Sequence, residues 1–149
     1  MSLIAFLGPS LGAAEARRLA PGARLLPPAG RGDLFKALGR GRRKPPRVIA
    51  LIDGVFEARP AVWHREILAA LEEGVAVFGA SSMGALRAAE LWPFGMVGLG
   101  RVYGWLRNGT ILDDSEVALL HADREHGYRA LSVPLVLAET VRGGLPVAL

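Results

Sequence analysis

The sequence predicts an α/β domain in which an open, mostly parallel sheet forms the middle of three layers, with helices on both faces. Short apolar runs alternate with helix-like segments, which is the pattern of strands joined by helical crossovers. The apolar runs are continuous, as expected of strands that are covered on both faces. The chain has 149 residues, of which 51% are hydrophobic and 21% charged. We therefore expect a single domain over residues 1–149 with a helical C-terminal part.

The first predicted elements are two strands, each followed by a short helix. The run SLIAFLG (2–8) predicts a buried strand, and Ser10 can cap a helix over about 11–20. The run ARLLPPA (23–29) is a second strand candidate, which its prolines weaken. Asp33 can cap a short helix over LFKALG.

The middle of the chain gives the clearest signals. RVIALID (47–53) predicts a buried strand. Pro60 stands where the first residue of the next helix is expected, and that helix ends at Gly74. VAVFGA (75–80) predicts the following strand, and SMGALRAAEL the helix after it.

The rest of the chain is predicted to be helical. The pair Trp92-Pro93 ends the previous helix, because proline cannot continue it. A further helix is expected over about 97–107, and a C-terminal helix from about Val133.

The composition limits the class of protein. The chain has no cysteine, which excludes disulfides, thiolate zinc sites and a cysteine nucleophile. No apolar run is long enough to predict a membrane span, and the N-terminus lacks the early positive charge of a signal peptide. We therefore expect a cytoplasmic protein with no membrane partner.

The positive charge is concentrated in one loop. Residues 36–47 (KALGRGRRKPPR) carry six basic side chains and no acidic one, and the rest of the chain is net acidic. A solvated linker is the simpler interpretation of the arginine-rich part, 40–47. The alternative is a docking patch for an acidic partner. Nucleic acid is not an expected partner, because no aromatic residue is interleaved in the loop.

Polar residues follow three of the predicted strands. They are GPS (8–10), DG (53–54) and GASS (79–82). Because parallel strands end at one edge of a sheet, where ligands bind, we expect these groups to lie together. His64, in the opening turns of the helix that follows 53–54, can reach the same edge.

The stretch ASSMG (80–84) fits a nucleophile elbow with alanine in place of the first glycine. In an elbow, a serine is exposed at a sharp turn from strand to helix. We expect Ser82 to be the nucleophile, His64 its general base and Asp53 the group that orients the base. The N–H of Met83 is the expected oxyanion donor.

Other residues at this edge are expected to bind the oxyanion or the substrate. The backbone from Gly8 to Ser10 can supply a second oxyanion donor. The complete expected set is Gly8, Ser10, Gly54, Glu66, Ser81, Met83 and Arg87. No metal or cofactor is expected, because the histidines lack metal-ligand spacing and no Walker or GxGxxG motif occurs.

Simpler interpretations of these residues stay open. Ser81 or Ser82 can serve only as a helix cap, and a helix N-terminus with glycine and serine can bind phosphate or a nucleotide. Arg87 and Glu90 can form a surface pair. The acidic segment DDSE (113–116) can ligate a hard cation, although its spacing matches no calcium loop and a solvated turn is more common.

Seven sequence blocks together resemble the TfuA-like core domain family. In chain order they are FLGPS (6–10), LIDGVF (51–56), VWHREIL (62–68), FGASSMGALRAAEL (78–91), PFGM (93–96), DDSEVA (113–118) and GYRALS (127–132). The third and fourth blocks are the most specific. The chain departs from the family pattern at Ser115, where a third carboxylate is common, and in the tail after Ser132.

The resemblance implies a function in peptide modification. TfuA proteins act with YcaO enzymes, which use ATP, and the pair replaces a backbone amide oxygen with sulfur to give a thioamide. The expected role is hydrolysis of a thiocarboxylated ubiquitin-like sulfur carrier, with the peptide substrate contacted only indirectly. Hydrolysis of an acyl–sulfur bond is an acyl transfer, which the predicted serine site suits. The alternative is a non-catalytic module that binds and activates the YcaO enzyme.

Overall fold

The computed structural model describes residues 2–39, 44–55, 60–112 and 125–126. Five strands form one parallel sheet in the order β2-β1-β3-β4-β5. The strands are β1 (Leu3–Phe6), β2 (Arg24–Leu26), β3 (Val48–Leu51), β4 (Ala76–Ala80) and β5 (Val97–Leu99). The helices are α1 (Ala13–Leu19), α2 (Asp33–Leu38), α3 (His64–Glu72), α4 (Met83–Leu91) and α5 (Arg101–Asn108). The predicted α/β open sheet is confirmed.

The central strand β1 is buried on both faces. In β1, Ile4 and Phe6 pack in the main core beneath α2, α3 and α4, whereas Ala5 packs with Ala16 of α1 in a smaller core on the other face. Successive strand residues point to opposite faces. This double burial explains why the strand sequences are continuously apolar.

The strand order is that of a doubly wound fold whose direction reverses between β1 and β3. From β1 the chain moves outward to β2, and it then returns to the other side of β1 to form β3. Ligands of such folds bind beyond the carboxyl ends of the strands at this reversal. We call this side of the sheet the carboxyl edge.

The first turn of α4 crosses the sheet at very close range. A β-carbon at Gly84 would collide with the carbonyl oxygen of Leu51 in β3. A β-carbon at Gly79 would collide in turn with the carbonyl oxygen of Gly84. The two glycines on either side of the paired serines therefore set how close α4 lies to β3 and β4.

Two predicted caps are wrong. Helix α1 has Gly12 at its N-cap and begins at Ala13, and Ser10 bonds elsewhere. Asp33 is the first residue of α2 rather than its cap, and its Oδ2 accepts the N–H of Gly30 at 2.9 Å.

Helix α3 begins at His64 rather than at Pro60. The side chain of Glu66 accepts the N–H of Trp63 at 3.1 Å, so the helix starts where this bond closes its first turn.

The predicted helix over 97–107 is wrong at its start. Val97–Leu99 forms the edge strand β5, with Gly98 opposite Gly79 of β4, and α5 begins only at Arg101. A strand of three residues is too short to show periodicity. The predicted C-terminal helix from Val133 lies outside the described residues.

Within the described ranges, no helix is long and apolar enough to cross a membrane.

Candidate active site

Asp53 bridges the ends of β1 and β3 at the carboxyl edge. The side chain is only 1% exposed. Its Oδ2 accepts the backbone N–H groups of Gly8 at 2.8 Å and Ser10 at 3.1 Å, and its Oδ1 accepts the Ser10 hydroxyl at 2.6 Å. A buried carboxylate needs such donors, because burial without them is costly. Asp53 therefore fixes the loop after β1 against the loop after β3.

The serines of the β4–α4 junction extend this network. The hydroxyl of Ser81 donates to the Ser10 hydroxyl oxygen at 2.7 Å. The Ser82 hydroxyl lies 3.4 Å from Oδ1 of Asp53, a longer contact. A hydroxyl accepts and donates at once, so Ser10 connects Ser81 to the carboxylate. We call Ser10, Asp53, Ser81 and Ser82 the serine–aspartate cluster.

Ser81 has the backbone conformation of an elbow residue. Its φ is 62°, and it is the only non-glycine residue with a positive φ in the described part of the chain. Such conformations cost free energy and are concentrated at functional sites. Ser82, which was predicted as the nucleophile, has a φ of −68° and is the N-cap of α4 without a side-chain capping bond. The elbow conformation therefore belongs to Ser81 and not to Ser82.

The expected oxyanion donors have different surroundings: those after β1 are already hydrogen-bonded, and that of Met83 lies at the start of α4. The N–H groups of Gly8 and Ser10, expected as a second oxyanion donor, both donate to Asp53 in the structure. Met83 opens α4, where first-turn N–H groups have no partner inside the helix. Gly54 has a packing role, because a β-carbon there would lie 2.5 Å from Cγ of Met83.

His64 belongs to a second cluster on the surface of α3 and α4. Its Nε2 lies 2.8 Å from Oε2 of Glu90, which also accepts Arg87 at 2.7 Å. Arg87 donates in addition to the carbonyl oxygen of Val62 at 3.0 Å. The pairing of Arg87 with Glu90 is confirmed. The predicted order Ser82–His64–Asp53 is not the order of hydrogen bonds in the structure.

Glu66 is fully buried and has a structural role. Its carboxylate accepts the N–H groups of Gly32 at 2.8 Å, Leu34 at 3.1 Å and Trp63 at 3.1 Å. It therefore supplies acceptors to the amino ends of both α2 and α3. Its position, three residues after the N-cap of α3, is the sequence signal for this role.

A cavity beside Ser81 was missed from the sequence. Its volume is about 300 Å³, and we call it the Ser81 cavity. Its lining residues are Ala80, Ser81, Leu99, Gly100, Arg101, Val102 and Trp105. The signal that could have revealed it is the pair Gly95 and Gly100, which bracket β5 and have φ values of 101° and 88°.

The described residues contain no group of three His, Asp or Glu side chains that could hold a metal ion. The acidic segment 113–116 and His121 lie outside the described residues, and His126 lies in the short described segment 125–126.

The fold and site define a doubly wound α/β protein with serines and a buried aspartate at the carboxyl edge of its sheet. A family model described as TfuA-like protein matches residues 53–143, more than half of the chain. The chain therefore belongs to the TfuA-like family, as its sequence blocks predicted. The matched segment begins at Asp53 and includes Ser81 and Ser82, whereas Ser10 precedes it. No curated protein matches the sequence.

Proposed function

We propose that this protein supplies sulfur to a YcaO-type ATP-dependent enzyme in peptide backbone thioamidation, by hydrolysing a thiocarboxylated ubiquitin-like sulfur carrier. Membership of the TfuA-like family supports the YcaO partner. The observation that carries the hydrolytic part is the conformation of Ser81, with its φ of 62° and its hydroxyl joined through Ser10 to Asp53.

In the proposed reaction, Ser81 Oγ attacks the carbonyl carbon of the carrier's C-terminal thiocarboxylate. The N–H of Ser82, which follows the nucleophile, and that of Met83 stabilise the tetrahedral oxygen. The carbon–sulfur bond then breaks, and the sulfur leaves as hydrosulfide with the serine proton. Water next hydrolyses the acyl ester, which regenerates the Ser81 hydroxyl and gives the carrier carboxylate.

Asp53 and Ser10 activate the nucleophile in this proposal. The Ser81 proton already lies in a hydrogen bond to Ser10, and the Ser10 proton lies in a bond to the carboxylate. Asp53 can draw proton density from Ser81 through Ser10 without contacting it. The alternative base, His64, would have to leave Glu90 and approach a serine.

The test is sulfide release from a thiocarboxylated sulfur-carrier protein by the purified wild-type chain. We expect release by the wild type, and a loss of about 10³-fold or more in Ser81→Ala, because removal of a nucleophile eliminates its chemical step. If the wild type releases no sulfide with or without a YcaO enzyme present, the hydrolytic function is wrong.

A second function, a non-catalytic module that activates a YcaO enzyme, is favoured by one observation. His64, the general base predicted from the sequence, is bonded to Glu90 and not to the serine–aspartate cluster. For this function we expect YcaO stimulation by Ser81→Ala equal to that by the wild type, with no sulfide release by either.

A further inference from the structure

The Ser81 cavity lies on the side of Ser81 that faces β5, because its walls come from the ends of β4 and β5 and from α5. The activating residues Ser10 and Asp53 lie on the opposite side, since they follow β1 and β3 in the sheet order. A group held in the cavity therefore contacts Ser81 from the side away from the carboxylate.

The walls of the cavity are apolar apart from one cation and the Ser81 hydroxyl. Leu99, Val102 and Trp105 are its large apolar lining residues, and the cation is Arg101. The volume of about 300 Å³ accommodates a small acyl group and the residue before it.

Arg101 is available to a ligand. It is exposed and makes no ion pair or hydrogen bond with any residue in the described part of the chain. Other arginines are engaged: Arg31 stacks on Trp63, and Arg107 stacks on Trp92.

The backbone around Arg101 also favours an anion. Arg101 is the first residue of the eight-residue helix α5, which has no acidic residue in its first turn. The first N–H groups of a helix lack partners within it, and its amino end carries a partial positive charge.

A thiocarboxylate places a specific demand on its enzyme. It is an anion, and attack by Ser81 develops further negative charge on the oxygen and sulfur of the attacked group, on the side of the Asp53 carboxylate. A cation on the far side of that group offsets the repulsion. A neutral thioester of the same acyl group has no such requirement.

We propose that the Ser81 cavity binds the acyl–sulfur end of the substrate, and that Arg101 pairs with its anionic sulfur. The proposal rests on the proposed hydrolytic function and specifies the chemical form of the substrate, an anionic thiocarboxylate in preference to a neutral thioester. Arg101 thereby becomes the residue that determines this specificity.

The test compares two forms of one sulfur-carrier protein, which end in a thiocarboxylate or in a methyl thioester. We expect Arg101→Ala to lower kcat/KM for the thiocarboxylate by about tenfold or more, as loss of one partner of a charge pair does. For the thioester we expect a change of less than about threefold, and Arg101→Lys retains most of the activity on the anion. The control is Arg107→Ala, which removes the same charge from α5 outside the cavity.

Two results would overturn the inference while leaving the proposed function intact. One is an equal loss on both carriers in Arg101→Ala, and the other is no loss on either. If the wild type hydrolyses neither carrier, the proposed function fails. A binding measurement then tests the inference independently of hydrolysis. We then expect the thiocarboxylate carrier to bind Ser81→Ala at least about tenfold more tightly than the double variant Ser81→Ala/Arg101→Ala in titration calorimetry. Equal affinity would overturn it.

Discussion

The hydroxyl of Ser10 donates a 2.6 Å hydrogen bond to Oδ1 of Asp53, across the point where the sheet reverses direction. The two residues are 43 positions apart in the chain and follow the neighbouring strands β1 and β3. Many doubly wound proteins bind a ligand directly between these two strand ends. Here a carboxylate and a hydroxyl bridge the two loops, and the next hydroxyl in the network is that of Ser81.

Asp53 is expected to stabilise the fold as well as the site. In Asp53→Asn the amide nitrogen cannot accept the backbone donors that the carboxylate now accepts. We expect the free energy of unfolding to fall by about 2–3 kcal/mol in urea denaturation. The control is Glu15→Gln, where an exposed carboxylate pairs with Arg18 at 3.6 Å and the loss should stay below about 1 kcal/mol. Equal losses in the two variants would contradict the bridging role.

The variants Ser10→Ala and His64→Gln show which group acts as the base, Asp53 through Ser10 or His64 directly. If the proton path runs through Ser10, Ser10→Ala lowers kcat for sulfide release by about 10²-fold with little change in KM, as expected for loss of base assistance. His64→Gln should lower kcat much less, since His64 bonds to Glu90. A larger effect of His64→Gln than of Ser10→Ala would restore the base predicted from the sequence.

The positive φ of Ser81 has a consequence for stability that does not depend on function. Alanine and glycine at position 81 both lack the hydroxyl, but only alanine carries a β-carbon in the left-handed region. We expect Ser81→Gly to be more stable than Ser81→Ala by about 1 kcal/mol in urea denaturation. In the interior of α4, Ala89→Gly should instead lower stability by about 0.5–1 kcal/mol. If glycine were less stable than alanine at position 81, as it should be at position 89, the elbow conformation would be refuted.

Two helical glycines should respond in opposite ways to alanine. Gly84→Ala places a methyl group against the carbonyl oxygen of Leu51, so we expect a loss of about 1–3 kcal/mol in the free energy of unfolding. Gly104 in α5 has open space around it, and Gly104→Ala should raise stability by about 0.5–1 kcal/mol. Tolerance of Gly84→Ala would mean that α4 lies farther from β3 than described.

The gathering of Ser10, Asp53 and the paired serines at one edge was predictable, because the carboxyl ends of parallel strands coincide whatever the strand order. Which of Ser81 and Ser82 has the elbow conformation could not be predicted, because it depends on the exact residue at which β4 ends and α4 begins. The orientation of His64 depends on Glu90, on another helix. The Ser81 cavity depends on β5, which is too short to show a periodic pattern.

The most direct test of the serine assignment is to compare the rates at which wild type, Ser81→Ala and Ser82→Ala release sulfide from a thiocarboxylated sulfur carrier. Circular dichroism and urea denaturation would establish that each variant is folded. We predict that Ser81→Ala loses release by about 10³-fold or more, while Ser82→Ala, which keeps the elbow hydroxyl and its backbone N–H, falls by less than about tenfold. Full release by Ser81→Ala, or loss only in Ser82→Ala, would contradict the assignment of Ser81 as the nucleophile.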